Sequence, residues 1–408
     1  MENMKKNRLK AFSRYSLISF VCVSGVILSG VSYATDVQRN QAKRIHDRLT
    51  GILPSNAVLD QMEIALGSDA TGESAAQIAI LNPAFYNVTL KNFAAPWTNE
   101  AQTVFVPLND YTATVIGMIR DDVDFREVLY GDILYTGTQS LGLTSSYSNS
   151  DNAHYEEMED RAIDLSDQAN LDDVGQTSVR PDVAPAGVMT TRAAAEAFFV
   201  AGTNRAMFRF TMMNHLCTDL EPLKDVTRVP DHVRQDVTRS PGGDSRIFLN
   251  NCVGCHAGMD GLAGAYAYYD FNETTGQMIY TPGTVTYKHL INSTNFKEGF
   301  VTTDDSWINY WRKGQNALLG WNSYAGEVLD SKGHSRGNGA ASFGRELANS
   351  DAFASCQVKK VFKTLCFRDS DDYAADRAQV ETIKTYFENN GYRMKDVFVK
   401  VAAYCKGS

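Results

Sequence analysis

Two cysteines and a histidine stand close together in the run Cys252-Val253-Gly254-Cys255-His256. Cysteines three positions apart on a helical turn can both reach the vinyl groups of a haem and form thioether bonds. A histidine that directly follows them can then coordinate the haem iron from the proximal side. The spacing therefore predicts covalent attachment of haem c, with Cys252 and Cys255 as anchors and His256 as an axial iron ligand. Because the motif occurs once, we expect one haem.

Two other kinds of site also use closely spaced cysteines. A redox-active dithiol usually lies in a thioredoxin-like βαβ pattern, which the sequence around the motif lacks. A structural zinc site needs a second pair of ligands, and the chain has no second Cys-x-x-Cys. Haem attachment is therefore the favoured interpretation of the motif.

The ligand on the opposite face of the iron is not fixed by the motif. A methionine there would raise the reduction potential, a second histidine would lower it, and an open position would allow ligand or peroxide chemistry. Met259 lies one helical turn after His256, on the proximal side, and should not reach that face. Met278, His289 and His334 lie where the chain could fold over the haem. We keep Met278 and His334 as candidate sixth ligands, with a surface or packing role as the alternative for each.

Three tryptophans lie near an arginine later in the chain: Trp307, Trp311 and Trp321, with Arg312 among them. Aromatic rings could shield a haem edge, and a guanidinium could bind a haem propionate. The alternative interpretation of the same residues is a small satellite core.

The first 34 residues have the pattern of a secretory signal peptide. Five basic side chains come first, an apolar stretch from Leu17 to Val31 follows, and Ser32-Tyr33-Ala34 offers small residues for cleavage. The alternative is an uncleaved membrane anchor, which the short and Ser/Gly-interrupted stretch does not favour. The pattern predicts a periplasmic or otherwise exported bacterial protein. Export agrees with the motif, because c-type haem is attached outside the cytoplasm.

The charge of the chain restricts its partners. The chain has 39 basic and 48 acidic residues, a net charge of −9. Without the predicted signal peptide, which holds five basic residues and one acidic residue, 34 remain against 47, a net charge of −13. An acidic surface argues against binding nucleic acid or anionic membranes and leaves room for a redox partner protein of unknown identity. No later run of the sequence could span a bilayer.

The hydrophobic pattern predicts a mainly α fold with few strand signals. We expect a mostly helical N-terminal region of unknown role over residues 35–190 and a haem domain over 191–345, which begins with a helix from about Thr191 to Leu216. Gly, Thr and Asn are frequent in residues 271–345 and predict long loops. A C-terminal helical bundle is expected over residues 346–408. Its three predicted helices span about Phe353–Phe367, Tyr373–Asn389 and Met394–Tyr404.

Four further cysteines lie after the predicted signal peptide: Cys217, Cys356, Cys366 and Cys405. They allow two disulfides in three pairings. Cys356 and Cys366 lie in one predicted helix, about 15 Å apart, whereas a disulfide needs Cα atoms within about 7 Å. An up-down-up order of three helices favours Cys366–Cys405 and leaves Cys217–Cys356. Free buried thiols are the alternative.

Two stretches resemble a large bacterial family of unknown function that is typified by planctomycete cytochrome-containing proteins. The first resembles the family's haem-motif domain; besides the motif, the matching residues are Ser245-Arg246-Ile247, Met259-Asp260-Gly261-Leu262, Tyr269-Asp270-Phe271 and Gly276. The last 70 residues resemble the companion C-terminal domain; the matching residues are Phe353-Ala354-Ser355-Cys356, Phe367-Arg368-Asp369 and Gly391-Tyr392-Arg393. Asp110 to Thr136 is faintly similar to the domain that usually precedes these. The chain departs from the family in a longer loop over about 280–330 and in Phe367, where the family has Gly. The resemblance implies a c-type haem and export, and supplies no substrate or partner.

Three functions agree with these features. The favoured one is an exported monohaem c-type cytochrome that acts in electron transfer. The second is a haem-dependent oxidoreductase, or a cytochrome subunit of a periplasmic dehydrogenase, since the chain is far larger than a minimal electron carrier. The third is a binding or assembly protein with a structural haem, which predicts a haem that is redox-silent in the physiological range.

Overall fold

The computed structural model describes residues 36–200, 205–234, 245–290 and 300–407. Helices dominate these ranges, which confirms the predicted mainly α fold. The helices are α1 (Asp36–Thr50), α2 (Asn56–Ser68), α3 (Glu73–Ala79), α4 (Lys91–Ala94), α5 (Asp110–Arg120), α6 (Ala153–Asp160), α7 (Gln176–Val179), α8 (Arg192–Phe198), α9 (Arg205–Leu216), α10 (Ser245–Ile247), α11 (Val253–Ala263), α12 (Gly339–Ala348), α13 (Asp351–Cys366), α14 (Ala374–Asn389) and α15 (Met394–Tyr404). The predicted signal peptide, residues 1–34, lies outside the described residues. Among the helices described, none combines the length and apolarity needed to cross a membrane.

Short strands form separate antiparallel pairs. The pairs are β1 (Tyr135–Gly137) with β2 (Leu171–Asp173), β3 (Tyr269–Asn272) with β4 (Gln277–Tyr280), and β5 (Ser306–Asn309) with β6 (Ser335–Asn338). In the last two pairs, Phe271 lies opposite Met278 and Trp307 lies opposite Gly337. The described residues of the 271–345 stretch (271–290 and 300–345) therefore contain more regular structure than the predicted long loops. Strands of four residues are too short to give a clear alternating pattern in the sequence.

The three C-terminal helices confirm the predicted ones to within two residues at each end. Ser350 caps α13, because its side chain accepts a hydrogen bond of 3.2 Å from the backbone N–H of Phe353. The helix ends at Phe367, whose φ of 57° is the left-handed conformation common after a helix terminus. Val358 and Phe362 on the inner face are fully buried.

The N-terminal helices share a core with this C-terminal group. The rings of Phe85 and Phe93 each lie 5.2 Å from the ring of Phe398 in α15, in edge-to-face contact. Arg48 in α1 donates a hydrogen bond of 2.6 Å to the carbonyl of Cys405. The described residues belong to one compact unit. The domain boundaries at residues 190 and 345 stay predictions.

The single helix predicted over about Thr191–Leu216 is wrong, because the structure has two helices, α8 and α9, in its place. Residues 201–204, between them, lie outside the described residues; their sequence, Ala-Gly-Thr-Asn, contains weak helix formers. The break matters for the site, since it places Arg205 at the start of α9, where its side chain contacts α11.

The structure contains the two disulfides that the sequence favours. Cys217 pairs with Cys356 at a Cα separation of 5.2 Å, and Cys366 pairs with Cys405 at 5.6 Å. The first joins the chain just after α9 to α13, and the second joins the end of α13 to the end of α15. The helix that carries the haem motif thus packs against elements that disulfide bonds link to each other.

Replacing the second disulfide by Cys366→Ser with Cys405→Ser should destabilise the chain by about 4 kcal/mol. This figure is the loop-closure entropy for a sequence separation of 39. Urea unfolding of the variant and the unmodified protein measures the loss. The matched variant Cys217→Ser with Cys356→Ser removes a disulfide that spans a sequence separation of 139. Its loss should destabilise the chain slightly more, by about 5 kcal/mol. Unchanged midpoints in both variants would contradict the disulfide assignment.

Candidate haem-attachment site

The haem motif lies at the start of α11. A short π-helical turn, Phe248–Cys252, leads into the helix, and Cys255 and His256 follow in its first turn. A spacing of three residues places the thiols of Cys252 and Cys255 on one side of the helical turn. Both cysteines are half-buried and unpaired, whereas the four other cysteines in the described ranges form disulfides. The two motif thiols are therefore available for thioether formation.

The side chain of His256 is held by an acidic residue one turn further along the helix. Its Nδ1 lies 3.0 Å from Oδ1 of Asp260, in an i, i+4 arrangement. The His256 side chain is 19% exposed, and the Asp260 side chain is fully buried. The pairing orients the imidazole at the edge of the buried core.

Asp260 stays ionised although it is buried. Burial opposes ionisation, but the charges of Arg205 and His256 and the hydrogen bond from His256 outweigh it and hold the pKa of Asp260 well below its ordinary value. Arg205 donates from Nε at 3.0 Å to Oδ1 and from Nη2 at 3.2 Å to Oδ2. The backbone N–H of Arg234 donates to Oδ2 at 3.2 Å. Each carboxylate oxygen therefore accepts two hydrogen bonds.

This arrangement fixes the proton on the histidine ring. An ionised carboxylate can only accept a hydrogen bond, so in the neutral ring, the form that binds a metal, Nδ1 of His256 carries the proton and Nε2 carries the lone pair. Within the residues that the structure describes, Nε2 makes no hydrogen bond. Metal-binding histidines commonly donate their second ring N–H to a carboxylate in this way. The donor set fits an axial iron ligand, and nothing in it requires a different metal.

No protein-family model, curated protein or solved structure matches the chain. The resemblance to the planctomycete-type family therefore stays a prediction, and the argument for the site depends on its own geometry.

Exposed apolar side chains surround the cysteine side of the motif. Ile247 and Leu249, just before Cys252, are 43% and 58% exposed, and Val226 in the neighbouring loop is 64% exposed. A Cβ added at Gly254 would lie 3.1 Å from the Val226 side chain, so this loop lies directly against the motif. Apolar surface of this kind is unfavourable in water and suits the apolar face of a porphyrin. The surroundings of the thiols therefore fit the predicted haem.

Further along, α11 packs closely against the chain that follows it. A Cβ at Gly258 would lie 2.0 Å from the indole Nε1 of Trp311, and one at Gly264, just past the helix, would lie 2.4 Å from the carbonyl oxygen of Ser306. Glycine is required at both places because any side chain would overlap these atoms. The segment from Gly258 to Gly264 is thus packed against residues 306–311, whereas Cys252 and Cys255, at the start of the helix, are half-buried.

The two candidate sixth ligands lie in different surroundings. Met278 is buried on β4, with its sulfur 3.7 Å from the guanidinium of Arg180. His334 is half-buried beside β6, its Nδ1 lies 3.1 Å from the carboxylate of Asp330, and its ring packs edge-to-face on Tyr310. No contact joins either residue to the motif among the residues described. Both stay candidates, and each would have to leave or extend its present contacts to reach iron.

His289, the third residue of that region, is a poorer ligand. Its Nδ1 accepts a hydrogen bond from the guanidinium of Arg234, which places its proton on Nε2. That N–H is buried and has no hydrogen-bond partner among the described residues. Burial, together with Arg234, holds the pKa of His289 well below its ordinary value, so the ring is neutral. With its Nε2 protonated, this ring has no free lone pair for iron.

Trp307 and Trp311 are buried in the main hydrophobic core, and Trp321 packs against it. Trp311 contacts the ring of Phe208, and Trp321 donates a hydrogen bond of 3.0 Å to the carbonyl of Trp311. The guanidinium of Arg312 forms buried ion pairs with Glu327 and Glu346. These contacts fit a packing role for the cluster, within the main core and not in a separate satellite core, because the arginine already has two carboxylate partners.

The sequence prediction did not assign a role to Asp260. The sequence does contain a signal for it, because an acidic residue four positions after a predicted ligand histidine lies on the same helix face. Arg205 could not have been found in the same way, since it reaches the site from another helix, 55 residues earlier in the chain.

Replacing Gly258 by alanine should destabilise the chain by about 1–3 kcal/mol, because the new methyl group would overlap the rigid indole of Trp311. Chemical denaturation measures the change. Gly67→Ala is the matched control, since Gly67 is also in a helix but has no atom nearer than 3.9 Å to an added Cβ. Gly67→Ala should leave the free energy of unfolding unchanged or raise it by about 0.5–1 kcal/mol. Equal effects of the two substitutions would argue against the close packing of α11.

Proposed function

We propose that this chain is an exported monohaem c-type cytochrome that acts in electron transfer. One observation carries the proposal: two unpaired thiols and a histidine with a free Nε2 lie on one helical turn, in a chain whose other described cysteines are disulfide-bonded. A dithiol without a ligand to bind would be expected to pair as the others do in an oxidising compartment. Haem attachment accounts for two thiols that remain separate.

The residues of the site have distinct roles in this proposal. A bound haem c supplies reversible one-electron oxidation and reduction of iron. Cys252 and Cys255 anchor it through thioether bonds, and His256 ligates the iron through Nε2. The exposed apolar side chains around the cysteines would pack against the haem and exclude water between them. The net charge of −9 favours a partner protein with a basic surface.

Covalent attachment is tested by expressing the full chain with an export pathway and a haem-attachment system. We expect the purified protein to show a c-type spectrum that survives acid–acetone extraction. Cys252→Ala with Cys255→Ala should abolish covalent haem, since no thioether can form. Cys217→Ser with Cys356→Ser is the control that removes two cysteines and should keep the haem. A wild-type protein without covalent haem would refute the proposal.

A haem-dependent oxidoreductase is the second candidate, and a cleft beside the site favours it. The cleft has a volume of about 560 Å³ and is lined by, among others, Asp260, His232, Trp307 and Arg336. Neither motif cysteine lines it, and neither does His256, so the cleft is distinct from the attachment site. A cleft of this size next to the partner of the ligand histidine could hold a small polar substrate.

Carbon monoxide binding separates the two candidates. For an electron carrier we expect a low-spin reduced spectrum that carbon monoxide does not change, because two protein ligands occupy the iron. Met278→Leu and His334→Gln then identify the sixth ligand, since only the correct substitution should produce a high-spin form that binds carbon monoxide. A wild-type spectrum that shifts with carbon monoxide would instead indicate an open site and favour the oxidoreductase. Redox titration tests the third function, a structural haem, which predicts no transition in the physiological range.

A further inference from the structure

The buried carboxylate of Asp260 contacts the one ring nitrogen of His256 that an iron ligand does not use. Its Oδ1 lies 3.0 Å from Nδ1, and no other described residue hydrogen-bonds to that nitrogen. A neutral acceptor, such as a backbone carbonyl, would orient the ring equally well. The carboxylate of Asp260, which Arg205 holds with a hydrogen bond to each oxygen, also draws the Nδ1 proton towards itself, which a carbonyl does far less.

We infer that Asp260 is a positioning residue that makes His256 a strongly electron-donating iron ligand and lowers the reduction potential of the haem. The inference rests on the proposed haem attachment. A hydrogen bond from Nδ1 to a carboxylate gives the imidazole partial imidazolate character and raises its basicity at Nε2. A more basic ligand stabilises ferric iron more than ferrous iron. The chain therefore belongs at the low-potential end of the range that its sixth ligand allows.

The remaining contacts of Asp260 keep its carboxylate in place. Arg205 holds both oxygens from α9, and the backbone N–H of Arg234 holds Oδ2. These donors cannot move with the imidazole, because they belong to other segments of the chain. The carboxylate is therefore fixed before any haem is bound, and His256 adopts the orientation that it sets.

The test is the reduction potential of the haem-loaded full chain with Asp260→Asn. The amide keeps the shape and can still accept from Nδ1, but it lacks the negative charge. We expect the ratio of reduced to oxidised haem at a fixed ambient potential to rise at least tenfold, which is 59 mV for one electron. We also expect the iron–histidine stretching band of the five-coordinate ferrous form, obtained by photolysis of its carbon monoxide complex where needed, to move to lower frequency. A purely structural role would not move that band in this direction.

Asp376→Asn is the matched control. Asp376 is also a buried carboxylate held by both arms of an arginine, with Arg368 Nε and Nη2 at 2.6 and 2.9 Å from its oxygens, but it lies on α14. Asp376→Asn should reduce the stability of the chain in a similar way. The ratio of reduced to oxidised haem at the same ambient potential should change by less than twofold. An Asp260→Asn protein with covalent haem and an unchanged potential would overturn the inference while the proposed function stands. A wild-type chain without covalent haem would overturn both.

The unmodified protein provides a second test if Asp260→Asn does not fold. Its iron–histidine stretching band should lie above that of a haem peptide containing only the attachment motif, in which Nδ1–H faces water. A band at the peptide's frequency would overturn the inference without any variant.

Discussion

A carboxylate with no exposed surface has to be compensated by the groups packed around it, because burying an unpaired charge costs several kcal/mol. Asp260 meets this requirement with donors from three segments: α11 itself through His256, α9 through Arg205, and the backbone at Arg234. The orientation of His256 is therefore coupled to the packing of α9 on α11. Breaking one buried partnership of this type typically costs 3–5 kcal/mol, so the site and the local fold are stabilised by the same interaction.

The elements around the contact between α9 and α11 are themselves linked to the rest of the structure. The cysteine just after α9 is disulfide-bonded to α13, and α13 is disulfide-bonded at its end to α15. The N-terminal aromatic side chains Phe85 and Phe93 pack on Phe398 in α15. The N-terminal region, for which the sequence offered no function, thus contributes to a core that backs the motif helix. Part of the N-terminal region therefore has a packing role.

Local signals in the sequence predicted part of the structure well. The three C-terminal helices and both disulfides follow from apolar periodicity and from the reach of a disulfide, which are properties of short segments. The break between α8 and α9 was missed although weak helix formers lie between them, and the four-residue strands were missed because they are too short to show an alternating pattern. The pairing of β5 with β6 also joins segments that are distant in the chain. The same division applies to the site. Cys252, Cys255 and His256 form a contiguous motif, whereas Arg205 reaches Asp260 only through the tertiary fold.

The start of α11 and the segment from Gly258 to Gly264 differ in how closely the rest of the chain packs on them. Gly258 and Gly264 allow Trp311 and the backbone of Ser306 to approach one side of this segment to contact distance. The haem proposed at Cys252 and Cys255 would be attached at the start of the helix, before these close contacts. There Ile247, Leu249 and Val226 are exposed. A haem covering these side chains would gain hydrophobic burial and still present an edge to a partner protein, which is the arrangement that electron transfer between proteins needs.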